Sequence, residues 1–235
     1  EHQVLFFPEL NPSPAEHTAL ASVFGKPEVH IEGREEDRKS AHYADEEQFI
    51  LIIDSGRNAA NFWHTDATFK ESPPGTSMIV GRAIPPRGGD TMWLNTYQAF
   101  ESLAPPVQDM ARRLRAVHGH PGVSELNSHP VVRTHPSTGR EALWVNRGWT
   151  TGLEGIPPKQ ARPLLEFFFN AMEQLEFTCR WTWSEGDVAV WDNRCTMHRA
   201  RPYEDLTHRR DMRRSTVSDE INTVEALGGS YASAS

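Results

Sequence analysis

The stretch DVAVWDNRCTMHRA, residues 187–200, decides how the rest of the chain is interpreted. Its first part, DVAVWD at 187–192, is rich in β-branched and aromatic residues and predicts a strand. A turn follows at the polar residues after that strand, and His198 stands just beyond the turn. A histidine delivered by a strong strand is a candidate site residue. Its meaning depends on which other side chains the fold brings beside it.

A second histidine lies in NFWHTDATF, residues 61–69, two positions before a carboxylate. Residues two apart on a strand point to the same face, so His64 and Asp66 are expected to converge. Taken alone, the pair also fits a half-buried strand whose polar face carries an ordinary His–Asp hydrogen bond. Together with His198 it makes the two-histidine, one-carboxylate triad of non-haem Fe(II) oxygenases. Such a triad leaves coordination positions open for a co-substrate and O₂.

Cations cluster shortly after His198, in HRRDMRRSTV at 208–217. If this segment is extended, Arg210 and Arg214 lie on one face, because they are four residues apart. An arginine that points into a buried site is a bidentate clamp for a carboxylate. Arg209 and Arg213 fit instead a solvated basic edge strand.

The bulk composition limits the class of protein. The chain has 235 residues, 37% hydrophobic and 24% charged, with a formal net charge of -8. A mildly acidic chain without a basic stripe is a poor nucleic-acid binder, and no apolar run approaches the ~20 residues of a membrane span. Two cysteines form no disulfide framework, which favours a reducing cytoplasm.

The expected organisation is a single domain over residues 1–225, with a disordered tail at 226–235. The opening EHQVLFFPEL lacks the basic and long apolar regions of a signal peptide. Its VLFFPEL resembles a strand already under way, so we expect further chain before residue 1.

Short segments of β-forming residues separated by Pro and Gly clusters predict strands along much of the chain. They are QFILIID (48–54), SMIVGRAI (77–84), ALWVN (142–146), FTCRWTW (177–183), DVAVWD (187–192) and RRSTV (213–217). Helices are predicted at 15–25, at 96–117 in two pieces broken by Pro105 and Pro106, and at 158–175. This order does not alternate as a βαβ chain does. It predicts a mainly β, jelly-roll core with flanking helices.

Several of these motifs occur in the same order in one known family. HTD at 64–66, GGDTMW at 88–93, HPVVRTHPSTGREALWVN at 129–146, GDVAVWDNRCTMHRA and RRDMRRSTV resemble the Fe(II)/2-oxoglutarate-dependent dioxygenases of the taurine and 2,4-dichlorophenoxyacetate dioxygenase family. The resemblance covers about residues 48–217. It implies a double-stranded β-helix of the cupin-like kind and the hydroxylation of a small, anionic substrate, with succinate and CO₂ as co-products.

The resemblance also implies roles for individual residues. His64, Asp66 and His198 match the iron ligands. Thr91 and Arg210 match the pair that holds the distal carboxylate of 2-oxoglutarate. Arg214 matches an arginine that meets the anionic end of the prime substrate.

Aromatic residues and one cysteine lie beside the motifs. Trp149 falls where relatives place an aromatic ring over the substrate, and Trp63 adjoins the ligand His64, so both are expected to line the substrate pocket. Trp191 is expected to be core, as aromatic residues in small β barrels usually are. Cys195 is interpreted as a small buried filler, because thiolate would favour zinc.

The sequence departs from taurine dioxygenases at two positions. Glu32 stands where they carry a sulfonate-binding histidine, and Ala60 stands where they carry an asparagine. A carboxylate would set like charge against a sulfonate, so taurine is disfavoured, and alkyl sulfates or aryloxyalkanoates remain. Relatives have a longer stretch where this chain has only residues 118–128, a region that covers the substrate. Either the lid is shortened here or part of it is absent from this sequence.

Two alternatives remain open. The same ligands could hold Zn²⁺ in a hydrolase, which would not need Arg210 and Thr91 to meet a dicarboxylate. A non-catalytic cupin-like binding protein is the other, although it would be expected to have lost a ligand. A homo-oligomer, dimer or tetramer, is expected from the family and from FFF at 167–169, which could leave apolar surface for a partner.

Overall fold

The computed structural model describes residues 2–29, 49–54, 60–120, 124–202 and 207–218. Within these ranges all strand pairs are antiparallel. The largest sheet has five strands, in the order β1 (Val4–Phe7), β11 (Val188–Asp192), β3 (Thr76–Ala83), β13 (Asp211–Val217) and β2 (Leu51–Asp54).

A smaller sheet faces the large one. Its three strands are, in order, β10 (Thr178–Trp181), β4 (Thr91–Asn95) and β12 (Thr196–Ala200). Trp93 of β4 meets Trp191 of β11 with ring centroids 5.7 Å apart, and both belong to one buried cluster with Met212. Two antiparallel sheets packed face to face confirm the predicted jelly roll.

Helices cover the outer side of the smaller sheet. Along β4 the side chains alternate: Trp93 points towards the large sheet, while Met92 and Leu94 pack in a second cluster with helical residues such as Phe168 and Met172. The helices on this side are α2 (Thr96–Glu101), α3 (Pro105–Arg112) and α4 (Pro158–Met172), whereas α1 (Pro14–Ser22) packs on the large sheet, where Ala21 joins Met78 and Val80. The described helices include none with the length and apolar character needed to cross a bilayer.

Two further small sheets pack beside the helices. One has the order β6 (Leu126–Pro130), β5 (Arg115–Gly119) and β9 (Thr150–Leu153), and the other pairs β7 (Val132–Thr134) with β8 (Glu141–Leu143). A short 3-10 turn, Leu175–Phe177, leads into β10.

The predicted helix to residue 117 ends at Arg112, because residues 115–119 become β5. β5 pairs with β6 on one side and β9 on the other, so long-range hydrogen bonds override the local helical pattern. ALWVN was predicted as a strand to Asn146, but β8 ends at Leu143. The break at Pro105 is confirmed, since α3 begins there.

The apolar surface expected from FFF is smaller than predicted. Phe168 and Phe169 lie on the buried face of α4, while Phe167 is 46% exposed. The tail at 226–235, Glu32 and part of the lid, residues 121–123, lie outside the described residues.

Candidate active site

The two histidines of the predicted triad are joined through their backbones. The His64 N–H donates to the His198 carbonyl at 3.0 Å, and the His198 N–H donates to the His64 carbonyl at 2.8 Å. This reciprocal antiparallel bridge sets the two imidazole rings side by side, with centroids 4.2 Å apart. Backbone hydrogen bonds, and not contacts between side chains, therefore set the spacing of the two rings.

Asp66 reaches the same point from a turn and not from a strand. His64 makes an isolated bridge, residues 66–69 form a turn, and Ala67 has φ 46°. The Thr65 hydroxyl donates to the Thr196 carbonyl at 2.9 Å and ties the turn to β12. The expectation that both residues lie on one regular strand face was wrong, although the convergence that it predicted occurs.

The donor atoms of the triad form one buried cluster. Asp66 Oδ1 lies 3.9 Å from His64 Nε2 and 3.8 Å from His198 Nε2. One ligand atom from each residue falls within 4.8 Å of the others, and all three residues are buried. His64 Nδ1 lies 3.0 Å from the Phe62 carbonyl, so it carries the proton and leaves Nε2 as the ligand atom. Two imidazole nitrogens and one carboxylate oxygen fit a divalent transition metal.

The charge state of the triad suits cation binding. Burial by itself raises the pKa of Asp66, but Arg214, His198 and His64 outweigh it and hold that pKa well below its usual value. Burial, with a contribution from His64, lowers the pKa of His198 to about 3. At neutral pH the site therefore offers an ionised carboxylate and a neutral imidazole, the protonation states that metal binding requires.

Asp66 has two further partners in the protein. The Arg214 guanidinium forms an ion pair with Oδ1, and the Ser77 hydroxyl donates to Oδ2 at 2.7 Å. Ser77 itself accepts from the Asn193 amide at 2.8 Å, and Asn193 accepts from the Trp191 indole at 2.9 Å. Both oxygens of the carboxylate are thus held by buried side chains.

A second group of polar residues lies on β4 and just before β13. Arg210 is 3% exposed; its Nε donates to the Gly89 carbonyl at 2.8 Å, and its Nη2 lies 3.4 Å from Thr91 Oγ1. Trp183 Nε1 donates to the same hydroxyl at 2.9 Å. Because Thr91 Oγ1 accepts from two donors, its own proton is left to donate.

Gly89 makes this arrangement possible. Its φ is +70°, and a Cβ atom there would lie 2.9 Å from Arg210 Cδ. A larger residue would strain the backbone and displace the arginine.

The triad and the Arg210 group line the same cavity, of about 440 Å³. Trp149 forms part of its wall and is fixed there, since its indole donates to the Thr65 carbonyl at 2.8 Å. The Trp149 ring lies 5.8 Å from the His64 ring, edge to face. Other lining residues are Leu51, Ile52, Ile53, Ala60, Phe62, Ala67, Ile79, His120, Trp191 and Ala200.

A possible metal-binding triad and a buried arginine thus share one cavity of a jelly-roll fold. Comparison of the whole chain with known protein families shows where this combination occurs. The family model "Taurine catabolism dioxygenase TauD, TfdA family" matches residues 1–216. The chain belongs to the TauD/TfdA family. Membership makes it a dioxygenase, for which 2-oxoglutarate and O₂ are the implied co-substrates and iron is the implied metal.

Individual TauD/TfdA relatives span most of the chain. The alkylsulfatase of Acinetobacter baylyi is 34% identical over 249 residues, which cover 95% of this chain and 75% of the relative. The alpha-ketoglutarate-dependent sulfate ester dioxygenase of Pseudomonas putida is 31% identical over 246 residues, 94% of this chain and 78% of the relative. The crystal structure of a taurine dioxygenase from Burkholderia xenovorans matches with TM-score 0.82 at 33% identity, covering 92% of this chain and 76% of that one. The family model and the dioxygenases among these relatives favour the dioxygenase over the hydrolase and the non-catalytic binding protein.

Most residues singled out in the sequence meet in the cavity of this TauD/TfdA protein: His64, Asp66, Thr91, Trp149, His198, Arg210 and Arg214. Trp63 does not. It is 6% exposed, packs in the hydrophobic cluster under the helices, and carries the Arg199 guanidinium 4.9 Å from its ring. The expectation that Trp63 lines the substrate pocket was wrong, because adjacent residues in an extended chain face opposite sides.

The structure also gives the positions of the remaining residues discussed from the sequence, which are the arginines beside Arg210 and Arg214, Trp191 and Cys195. β13 lies between β3 and β2, so the expectation of an edge strand was wrong, although Arg209, two residues before β13, is exposed to solvent as expected. Arg213 is half-buried and pairs with Asp211 at 2.9 Å. Trp191 is core as expected, but it also lines the cavity, with its ring 4.7 Å from that of His198. Cys195 is 2% exposed, as a buried filler should be.

Several residues of the site were not predicted as site residues from the sequence. Ser77 and Asn193 are ordinary polar residues in or next to predicted strands. Trp183 is one of several aromatic residues in the predicted strand at 177–183. Phe62 and His120 line the cavity from irregular segments. Their importance comes from partners far away in the chain, which no local pattern contains.

Proposed function

We propose that this protein is an Fe(II)- and 2-oxoglutarate-dependent dioxygenase that hydroxylates a small anionic organic substrate of the sulfonate, alkyl sulfate or aryloxyalkanoate type. One atom of O₂ enters the substrate as a hydroxyl group and the other enters succinate, with release of CO₂. The observation that carries the proposal is the meeting of the His64–Asp66–His198 cluster and the Arg210–Thr91 pair in one cavity.

His64, Asp66 and His198 would hold the iron through Nε2, Oδ1 and Nε2. Bound iron would supply the redox chemistry that links the reduction of O₂ to the oxidation of 2-oxoglutarate and of a substrate C–H bond. The protein's own contribution is to keep these donors ionised or neutral as needed and nearly free of solvent contact, at 4%, 2% and 7% exposure.

Arg210 and Thr91 would hold the distal carboxylate of 2-oxoglutarate. A guanidinium fork suits a planar carboxylate, and the Thr91 hydroxyl still has a proton to donate. Both groups are almost fully buried, which strengthens a charge-assisted hydrogen bond relative to water.

Arg214 would receive the anionic end of the prime substrate. At present it neutralises Asp66, a task that a divalent cation at the triad would take over. Among the described lining residues the fixed charges are those of Asp66, Arg210 and Arg214. With Fe²⁺ and a doubly charged 2-oxoglutarate added, one positive charge is left over, and a monoanionic substrate would balance it.

The cavity walls favour an apolar body for that substrate. Ile52, Ile79, Phe62 and Trp149 are among the lining residues. Asp66 is the one carboxylate among the described lining residues, and it belongs to the metal set. The ammonium group of taurine would therefore find no counter-ion among the described lining residues, and the Ala60 methyl offers no hydrogen bond. Alkyl or aryl anions without an amine fit better.

Two measurements test the proposal. Anaerobic addition of Fe(II) and then 2-oxoglutarate should produce a weak visible charge-transfer band, absent in Asp66→Ala. A panel of alkyl sulfates, aryloxyacids and sulfonates should then yield succinate in proportion to hydroxylated product. A protein that converts such substrates with zinc and consumes no 2-oxoglutarate would be a hydrolase and would refute the proposal.

The cellular compartment and the oligomeric state of the enzyme are part of the proposal. Cys179 and Cys195 are both free thiols, which suits a reducing cytoplasm. We propose a homo-oligomer that acts on small molecules and engages neither nucleic acid nor membrane. A monomeric mass by light scattering at micromolar concentration would contradict the oligomer.

A further inference from the structure

A chain of hydrogen bonds runs through the large sheet to the back of Asp66. Trp191 Nε1 donates to Asn193 Oδ1 at 2.9 Å, Asn193 Nδ2 donates to Ser77 Oγ at 2.8 Å, and Ser77 Oγ donates to Asp66 Oδ2 at 2.7 Å. All four side chains are buried, with exposures of 2%, 0%, 1% and 2%. Such a chain is shielded from competition by water.

The direction of each hydrogen bond in this chain is determined by chemistry. An indole N–H can donate and cannot accept, so the carbonyl oxygen of the Asn193 amide must face Trp191. The amide NH₂ then faces Ser77 and uses a lone pair of its hydroxyl. The Ser77 proton is consequently left for Asp66 Oδ2, which can accept because the carboxyl is ionised.

The backbone holds the members of the chain in place. Trp191 and Ser77 are register partners across β11 and β3, and the Asn193 N–H donates to the Gly75 carbonyl at 2.9 Å. The donors therefore sit on paired strands and a turn anchored to one of them. Because the serine side chain is short, the sheet register that places the Ser77 backbone also places its hydroxyl.

We propose that Ser77 and Asn193 are positioning residues that make Asp66 a one-oxygen ligand of the metal, through Oδ1. Oδ2 is held by Ser77, while Oδ1 is the oxygen that lies 3.9 and 3.8 Å from the two imidazole Nε2 atoms. The Ser77 hydrogen bond holds Oδ2 on the side away from the imidazoles, and turning the carboxylate to bring both oxygens to the metal would distort that bond inside a dry interior. One carboxylate oxygen leaves a further coordination position for the co-substrate or O₂. The proposal rests on the metal site proposed above.

The test is a metal titration without 2-oxoglutarate, using Co(II) as a redox-stable probe followed by its visible absorption. Ser77→Ala should bind Co(II) roughly 10- to 100-fold more weakly, the usual loss when a ligand's orienting partner is removed. Ser77→Thr, which keeps the hydroxyl, should restore most of the affinity. Ser215→Ala is the matched control: Ser215 is equally buried, on the neighbouring strand, but its hydroxyl contacts His17 at 2.9 Å.

A second variant covers the case in which Ser77→Ala does not fold. Asn193→Leu keeps the approximate shape but removes the donor that directs the Ser77 proton, and it should weaken Co(II) binding roughly 2- to 10-fold. Thermal unfolding of the metal-free proteins identifies folded variants.

The proposal is overturned if a folded Ser77→Ala or Asn193→Leu variant binds Co(II) as wild type does, or if Ser215→Ala loses as much affinity as Ser77→Ala. Either result would leave the proposed dioxygenase function standing. If the wild-type protein itself binds no metal, the proposed function fails together with this inference.

Discussion

Arg210 and Arg214 lie in one cavity, yet the structure gives them different neighbours, which predicts different effects of their removal. Arg210 contacts the Gly89 carbonyl and Thr91, whereas Arg214 contacts Asp66. Two guanidinium groups crowded on one carboxylate would repel each other. We therefore expect Arg210→Ala to impair the use of 2-oxoglutarate and Arg214→Ala to impair the use of the prime substrate.

The magnitude follows from the kind of contact that is lost. Arg210 is 3% exposed, so water cannot easily replace it. A charge-assisted hydrogen-bond pair contributes about 1.5–3 kcal/mol. Arg210→Ala should then raise the 2-oxoglutarate concentration needed for half-maximal rate by roughly ten- to a hundredfold.

The assay measures succinate formed with and without prime substrate, across a range of 2-oxoglutarate concentrations. Arg214→Ala should weaken the prime substrate and leave the uncoupled formation of succinate largely intact. Arg213→Ala is the matched control, because Arg213 lies on the same strand but pairs with Asp211 outside the cavity. If Arg214→Ala raises the 2-oxoglutarate requirement as much as Arg210→Ala does, the assignment of separate roles is wrong.

Three further predictions concern the metal, the co-substrate and pH. Asp66→Ala should abolish succinate formation while circular dichroism stays native; retained activity would remove Asp66 from the ligand set. Trp183→Phe should raise the 2-oxoglutarate requirement roughly 2- to 10-fold, because Thr91 loses a hydrogen bond of about 0.5–1.5 kcal/mol; an unchanged requirement would contradict this. Burial and Arg82 lower the pKa of His17 to about 4, and burial and His129 lower that of His118 to about 3. Since the unfolded chain binds more protons below pH 6.5, the free energy of unfolding should be highest above that pH. It should fall by about 3 kcal/mol for His17 as the pH drops to about 4. Urea titrations of wild type and His17→Gln over this range should show a weaker pH dependence in the variant.

Short sequence patterns correctly predicted those strands and helix boundaries that depend only on the residues within the segment itself. The runs of β-branched and aromatic residues at 77–84 and 187–192 predicted strands, and β3 and β11 form there, because such side chains fit a pleated, buried surface. Pro105 begins a new helix and does not lie inside a longer one, because proline lacks the N–H that a helix interior needs but is tolerated in the first turn. The residue types of the triad and the arginines were visible for the same reason: the chemistry of a side chain is a property of the sequence.

Long-range pairing decided what local patterns left open. Residues 115–119 became a strand because two other strands flank them. Trp63 lies in the core because its neighbour His64 faces the cavity, and adjacent residues in an extended chain face opposite sides. Periodicity tells which residues share a face. It does not tell which partner that face will meet.

The sequence by itself therefore determined the class of fold and which residues are candidates for the metal ligands and the carboxylate clamps. The tertiary structure decided how they are oriented: the backbone bridge that sets the two imidazoles side by side, the turn that carries Asp66, and the donors behind it. The physical reason is that a metal site depends on the directions of individual lone pairs. Those directions are fixed by hydrogen bonds such as the one from Ser77, between segments that only folding brings together.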